Sequence, residues 1–107
     1  MNDYACVIVL TTMPSEDGAL QFAATLVEER LAACVNVLPE MRSIYRWEGR
    51  VQQNAEHQVV IKTTTARLSA LRTRLEALHP YDVPELIEIS VSDGGEAYLN
   101  WVGDSVG

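Results

Sequence analysis

The chain has 107 residues, of which 48% are hydrophobic and 21% charged, and its formal net charge is −7 at pH 7. Its length fits one compact domain, which we place at residues 1–107, and its composition is that of a globular protein. Eight Lys and Arg residues against fifteen Asp and Glu residues argue against nucleic acid as the main partner, since clusters of basic residues hold phosphate backbones. No apolar run approaches the roughly 20 residues of a membrane-spanning helix.

Cysteine usage and the N-terminal segment indicate the compartment. Cys6 and Cys34 form neither a CxxC motif nor a disulfide framework. Residues 1–4 carry no basic stretch, and the apolar run that follows them is short, which predicts a strand rather than a signal peptide. We therefore expect both cysteines to be reduced and the protein to be cytoplasmic.

The first elements along the chain are a strand and a helix. Residues 5–12 are mostly apolar and rich in β-branched side chains, which is typical of a buried strand. Ser15 followed by Glu16 and Asp17 is a favourable helix start, because a side-chain oxygen caps the helix and acids face the positive end of its dipole. Apolar residues then recur at three- and four-residue spacing as far as Leu31, which predicts a helix packed on a sheet.

A long hairpin is predicted next. Residues 34–47 and 50–64 have strand patterns, with a bulge or bend expected at Pro39-Glu40. Glu48-Gly49 between them is typical of a two-residue hairpin turn, since Gly readily adopts a positive φ.

A second helix, a fourth strand and a terminal helix complete the chain. The helix has an apolar stripe, an N-cap at Thr64 or Thr65 and an end near His79, and its arginines are expected to be solvated. The stripe consists of Leu68, Leu71, Leu75 and Leu78, and the arginines are Arg67, Arg72 and Arg74. Residues 86–91 predict a half-buried strand, and residues 96–102 a short helix.

This order of elements predicts an α+β fold. It fits a ferredoxin-like βαββαβ sandwich with an extra C-terminal helix and a long β2–β3 hairpin. The sheet face away from the helices would also be partly apolar, and the hairpin would leave unpaired edges. We therefore expect other copies of the chain to cover both.

Residues 79–85, His-Pro-Tyr-Asp-Val-Pro-Glu, form a rigid segment because each proline fixes φ and restricts the residue before it. His79 and Glu85 are the candidate metal ligands, since imidazole and carboxylate suit Cu²⁺, Zn²⁺ or Ni²⁺. The alternative for His79 is a structural role, in which the imidazole bonds the last helix carbonyls or a neighbouring carboxylate.

Two further features have both a functional and a structural interpretation. Tyr45 and Trp47 share one face of a strand. They either form the wall of a ligand pocket or pack at a subunit interface. Lys62, near the end of a buried strand, either pairs with a carboxylate or binds an anion. The carboxylates considered are Glu85, Glu88 and Asp82.

These motifs together resemble the CutA family of divalent-cation tolerance proteins. The resemblance covers nearly the whole chain, through residues 29–36, 45–49, 60–64, 79–85 and 98–101. It implies a homotrimer packed sheet on sheet, with no required cofactor, that responds to divalent metal ions and to copper above all. Thr11 stands where copper-binding proposals for this family use a cysteine. The implied inter-subunit cleft would be lined by His79 and Glu85 as metal ligands and by Thr11, Tyr45, Trp47, Lys62 and Tyr81.

Two rival functions differ in class from a non-enzymatic metal-response protein. A small-molecule sensor similar to the PII signalling proteins would share the trimeric ferredoxin-like plan, but nucleotide binding would need more clustered basic residues and a longer loop. A small enzyme would use His79 as acid or base, with Glu85 or Asp82 orienting it.

Overall fold

A computed structural model describes residues 5–107, so that residues 1–4 of the predicted domain lie outside the described residues. The elements are β1 (Cys6–Met13), α1 (Glu16–Glu28), β2 (Cys34–Trp47), β3 (Arg50–Thr64), a 3₁₀ turn (Thr65–Arg67), α2 (Leu68–Leu78), β4 (Ile87–Ser90) and α3 (Glu96–Val106). This is the predicted α+β ferredoxin-like order with an additional C-terminal helix. None of the helices within 5–107 is long and apolar enough to cross a membrane.

One face of the sheet carries the main hydrophobic core. The four strands are antiparallel in the order β2-β3-β1-β4, so that β2 and β4 are the edges. Val9 of β1 and Val59 and Ile61 of β3 are fully buried against Leu26 of α1 and Leu75 of α2. We call this the helix face of the sheet and the opposite side the open face.

The two main helices begin differently. Ser15 caps α1 as predicted, and its hydroxyl accepts the Gly18 N–H at 3.1 Å. The predicted cap of α2 is wrong, because the Thr64 side chain makes no capping bond and a 3₁₀ turn precedes the helix.

The arginines of the α2 region were expected to be largely solvated. Arg72 and Arg74 keep 50% and 39% of their side chains exposed, and all three arginines also bind elsewhere in the fold. Arg67 donates to the Val106 carbonyl at 2.6 Å, which satisfies one of the last carbonyls of α3. Arg72 pairs with Glu88 of β4 and Arg74 with Glu29 after α1. In each ion pair the partner raises the pKa of the arginine and lowers that of the carboxyl group.

The long hairpin is confirmed, and so are its bulge and its turn. The β2–β3 register shifts between Val37 and Glu40, beside the predicted Pro39-Glu40 interruption. At the tip, Glu48 has φ of 51° and Gly49 φ of 76°, which is the geometry of a type I′ turn. The hairpin helps to make the protein elongated, with a longest dimension of 48 Å.

The open face is covered only in part. The Cys6 thiol contacts the Leu99 carbonyl of α3 at 3.8 Å, and Val102 and Val106 join the same small cluster. Packing of Val106 explains why α3 extends beyond the predicted residues 96–102. β4 was predicted to be half-buried, yet Ile87 and Ile89 are 48% and 44% exposed, because they pair with β1 on the uncovered side.

Replacement of Glu48 by Asn should stabilise the protein by about 1 kcal/mol, because Asn adopts positive φ at lower cost than Glu. Denaturant unfolding at fixed protein concentration measures the change. Glu48→Gln is the matched control, since it removes the charge but keeps the strained backbone, and it should leave the free energy of unfolding unchanged. Equal stabilisation by both variants would attribute the effect to charge.

Candidate functional site

A cleft of about 880 Å³ opens between the β2–β3 hairpin and the loop after α2. Its floor is the end of the open face farthest from α3. The lining residues are Thr12 of β1, Met41, Ser43, Ile44, Tyr45 and Trp47 of β2, Glu56 and Gln58 of β3, and residues 80–85. The rigid segment seen in the sequence is therefore one wall of this cleft, and the hairpin is the other.

His79 fixes the start of the loop wall. Its Nε2 lies 2.7 Å from the carbonyl oxygen of Thr12 and must donate, whereas its Nδ1 accepts the Tyr81 N–H at 3.1 Å. These bonds require the neutral Nε2–H tautomer. The ring is almost fully buried, so the arrangement agrees with the structural alternative for His79, although its partners are not the last helix carbonyls.

Tyr81 closes one end of the cleft. Its ring lies 4.9 Å from the His79 ring, and its hydroxyl donates to the Glu56 carboxylate at 2.8 Å. Burial raises the pKa of Tyr81 well above the ordinary value near 10, and the negative charge of Glu56 adds to the effect. The phenol is thus held protonated as a donor to Glu56.

Glu85 ends the loop wall and faces Gln58. The Gln58 side-chain amide donates to the Glu85 carboxylate at 2.9 Å and to the Thr11 carbonyl at 2.7 Å. This contact ties the loop to β1 and β3, and Glu85 receives a neutral donor rather than a cation.

Four of the predicted site residues meet in this cleft, namely Tyr45, Trp47, Tyr81 and Glu85. His79 lies directly behind it. Glu56 and Gln58 were missed, because the sequence showed only a polar half of β3. Period-two alternation, which places positions 56 and 58 on one strand face, was the available signal.

Two predicted cleft residues lie elsewhere. Thr11 faces the core with its hydroxyl buried and without a hydrogen-bond partner in the described structure, while Thr12 lines the cleft. Lys62 is four residues beyond Gln58 on β3, roughly 13 Å away at strand spacing. Its ammonium lies 5.8 Å from the centre of the Tyr98 ring.

Lys62 was expected to pair with Glu85, Glu88 or Asp82, or to bind an anion. Within residues 5–107 it forms no ion pair with any of these carboxylates, and Glu85 and Glu88 bind Gln58 and Arg72 instead. Anion binding stays a prediction.

A firm metal centre needs three or four ligands, and residues 5–107 contain no group of three or more His, Cys, Asp or Glu side chains placed to hold an ion. In the present arrangement both His79 nitrogens are engaged, so the imidazole offers a metal no lone pair. Glu56 and Glu85 fit better, since each uses one carboxylate oxygen in its protein contact. The His79–Glu85 ligand pair stays a prediction.

Tyrosine ionisation tests the Tyr81–Glu56 contact. A pKa raised in the folded state means that the protonated phenol stabilises the fold up to about pH 10, and that this stabilisation is lost as the pH rises further. In the folded protein, Tyr81→Phe should therefore leave the absorbance change at 295 nm up to pH 11 unchanged.

The denatured variant provides the control for this titration. It should lose one quarter of the amplitude, since the chain has four tyrosines. Loss of the same fraction in the folded variant would show that Tyr81 ionises as an ordinary tyrosine.

Comparisons with known proteins identify the family of the chain. A family model described as CutA1 divalent ion tolerance protein matches residues 7–105. The divalent-cation tolerance protein CutA of Thermus thermophilus is 47% identical over 100 residues, which cover 94% of this chain and 97% of that protein. The crystal structure of CutA1 from Oryza sativa superposes with a TM-score of 0.94 at 38% identity, covering 98% of this chain and 96% of that one.

A more distant structure has the same fold. The periplasmic divalent cation tolerance protein CutA from Archaeoglobus fulgidus superposes with a TM-score of 0.91 at 29% identity, covering 95% of this chain and 99% of that one. On the evidence of sequence and fold together, the chain belongs to the family of CutA1 divalent ion tolerance proteins.

Proposed function

We propose that this protein is a non-enzymatic homotrimer that contributes to tolerance of divalent metal ions. It binds such an ion weakly, and copper above others, at the carboxylate end of the cleft. The observation that carries the proposal is the pair Glu56 and Glu85, two carboxylates that line one cleft and have only neutral partners within residues 5–107. The names of the relatives, as divalent-cation tolerance proteins, support the same role.

The carboxylates favour a cation for a simple reason. Glu56 is only 8% exposed, and a carboxylate withdrawn from water is stabilised by a positive charge. Divalent affinity for a given nitrogen and oxygen site rises towards copper, which favours that ion. With two carboxylates and no third ligand in place, the affinity should be weak.

His79 can join the ligand set only if its Nδ1 releases the Tyr81 N–H. The same two bonds count against the alternative enzyme function, because a general acid or base needs a nitrogen that reaches a substrate. They also favour a binding protein over a catalyst.

Trimerisation is supported by what the single chain leaves uncovered. Ile87 and Ile89 form an apolar strip with Leu10 on the open face, and β2 and β4 are both unpaired edges. Such a face and such edges invite pairing with further chains. The hairpin, at up to 15 residues a strand, is long enough to reach a second subunit.

The proposed compartment is the cytoplasm. Cys6 and Cys34 are free thiols, as expected in a reducing environment. The Archaeoglobus protein is described as periplasmic, so the family is not confined to one compartment.

Light scattering should give a mass three times that of the 11.9 kDa chain. Ile89→Glu places a charge on the uncovered strip and should reduce the mass to that of one chain. Leu20→Glu, at a comparably exposed site on α1, is the matched control and should keep the trimer. A single-chain mass for the unmodified protein at every concentration would contradict the trimer.

Calorimetric titration with Cu²⁺ tests the metal site. Glu56→Gln and Glu85→Gln should each weaken binding about tenfold, because each removes one anionic ligand. Glu88→Gln is the matched control, since that carboxylate pairs with Arg72 on the helix face, and it should keep the affinity of the unmodified protein.

Two outcomes would revise the ligand assignment. Unchanged affinity in both cleft variants would remove the carboxylates from the site. Unchanged affinity in His79→Gln would leave His79 with a structural role alone.

A further inference from the structure

The cleft contains an aromatic wall that a bound metal ion would leave unused. Tyr45, Trp47 and Tyr81 line it together with the carboxylates, and their rings keep substantial contact with solvent. Two of the three rings are held by polar bonds, since the Tyr45 hydroxyl accepts from the Asn54 amide and Tyr81 donates to Glu56. Tyr45 and Tyr81 are therefore positioned before any ligand arrives.

The charge around these rings has one sign. Glu56, Asp82 and Glu85 line the cleft, and none of its lining residues is a Lys, Arg or His. The ion pairs found within residues 5–107 involve other carboxylates, Glu29 and Glu88. The negative charge of the cleft is thus not neutralised by the described part of the chain.

Aromatic faces and carboxylates attract the same class of ligand. A ring presents its negative face to a cation, and a carboxylate accepts hydrogen bonds from an ammonium group. The volume of about 880 Å³ lies within the range of small-molecule sites and far exceeds what one bare ion fills. An anion or a nucleotide phosphate would meet three like charges.

We propose that the cleft binds a small organic ammonium ion with an apolar body. The ammonium group lies against Glu56 and Glu85, and the apolar body lies against Tyr45 and Tyr81. This inference rests on one element of the proposed function, namely that the two carboxylates are open to a positive charge. It adds the aromatic wall and a different class of ligand.

Two probes of equal shape test the proposal on the unmodified protein. Phenethylammonium carries the charge and an aromatic body, whereas 2-phenylethanol has the same body and is neutral. Calorimetry should show saturable binding of the amine and binding of the alcohol at least tenfold weaker. Equal binding of both probes, or binding of neither, would overturn the proposal.

A matched pair of tyrosine variants locates the site. Tyr45 and Tyr98 are 39% and 46% exposed, and Tyr98 lies on α3, outside the cleft. Tyr45→Ala should weaken amine binding about tenfold, whereas Tyr98→Ala should leave it unchanged. Thermal unfolding of both variants checks that the fold is kept, and equal effects of the two substitutions would overturn the assignment.

The metal titration separates this inference from the proposed function. Tyr45→Ala should keep the Cu²⁺ affinity of the unmodified protein while its amine binding is weakened. Copper binding that depends on Glu85, in a protein that does not bind phenethylammonium, would overturn the inference and leave the proposed function intact. Amine binding without copper binding would overturn the metal site of the proposed function and leave this inference intact.

Discussion

The cleft depends on one buried imidazole at the end of α2. His79 joins the carbonyl of Thr12, near the end of β1, to the backbone N–H of Tyr81. Because one nitrogen must donate and the other must accept, both bonds exist only in a single neutral tautomer. Loss of either would free the start of the loop, and with it the Tyr81 ring and its bond to Glu56.

The two faces of the sheet differ in how they contribute to the protein. On the helix face, Val59 and Ile61 are fully buried with the leucines of α1 and α2, and this packing provides most of the hydrophobic stabilisation. The surface ion pairs add little, since exposed pairs contribute about 0–1 kcal/mol. The open face instead holds the cleft at one end and α3 at the other, with the apolar residues Ile87 and Ile89 uncovered beside them.

The carboxylates of the cleft differ from the two that pair with arginines. Glu29 and Glu88 each face an arginine, and the pKa of each is lowered by it. Glu56 and Glu85 have a phenol and an amide as partners, which satisfy hydrogen bonds without neutralising charge. That difference is why a metal ion or an ammonium ion is expected in the cleft and not at Glu29 or Glu88.

The sequence by itself determined the order of elements, because local patterns decide them. The Ser15 cap, the bulge beside Pro39 and the Glu48-Gly49 turn are all short-range features, and all are present. The two prolines of residues 79–85 also predicted that this segment is rigid. Only the tertiary structure decided which side chains meet. Glu56 reaches Tyr81 across 25 positions of the chain, and Lys62 contacts Tyr98 rather than a carboxylate, because strand pairing and the path of α3 set those distances.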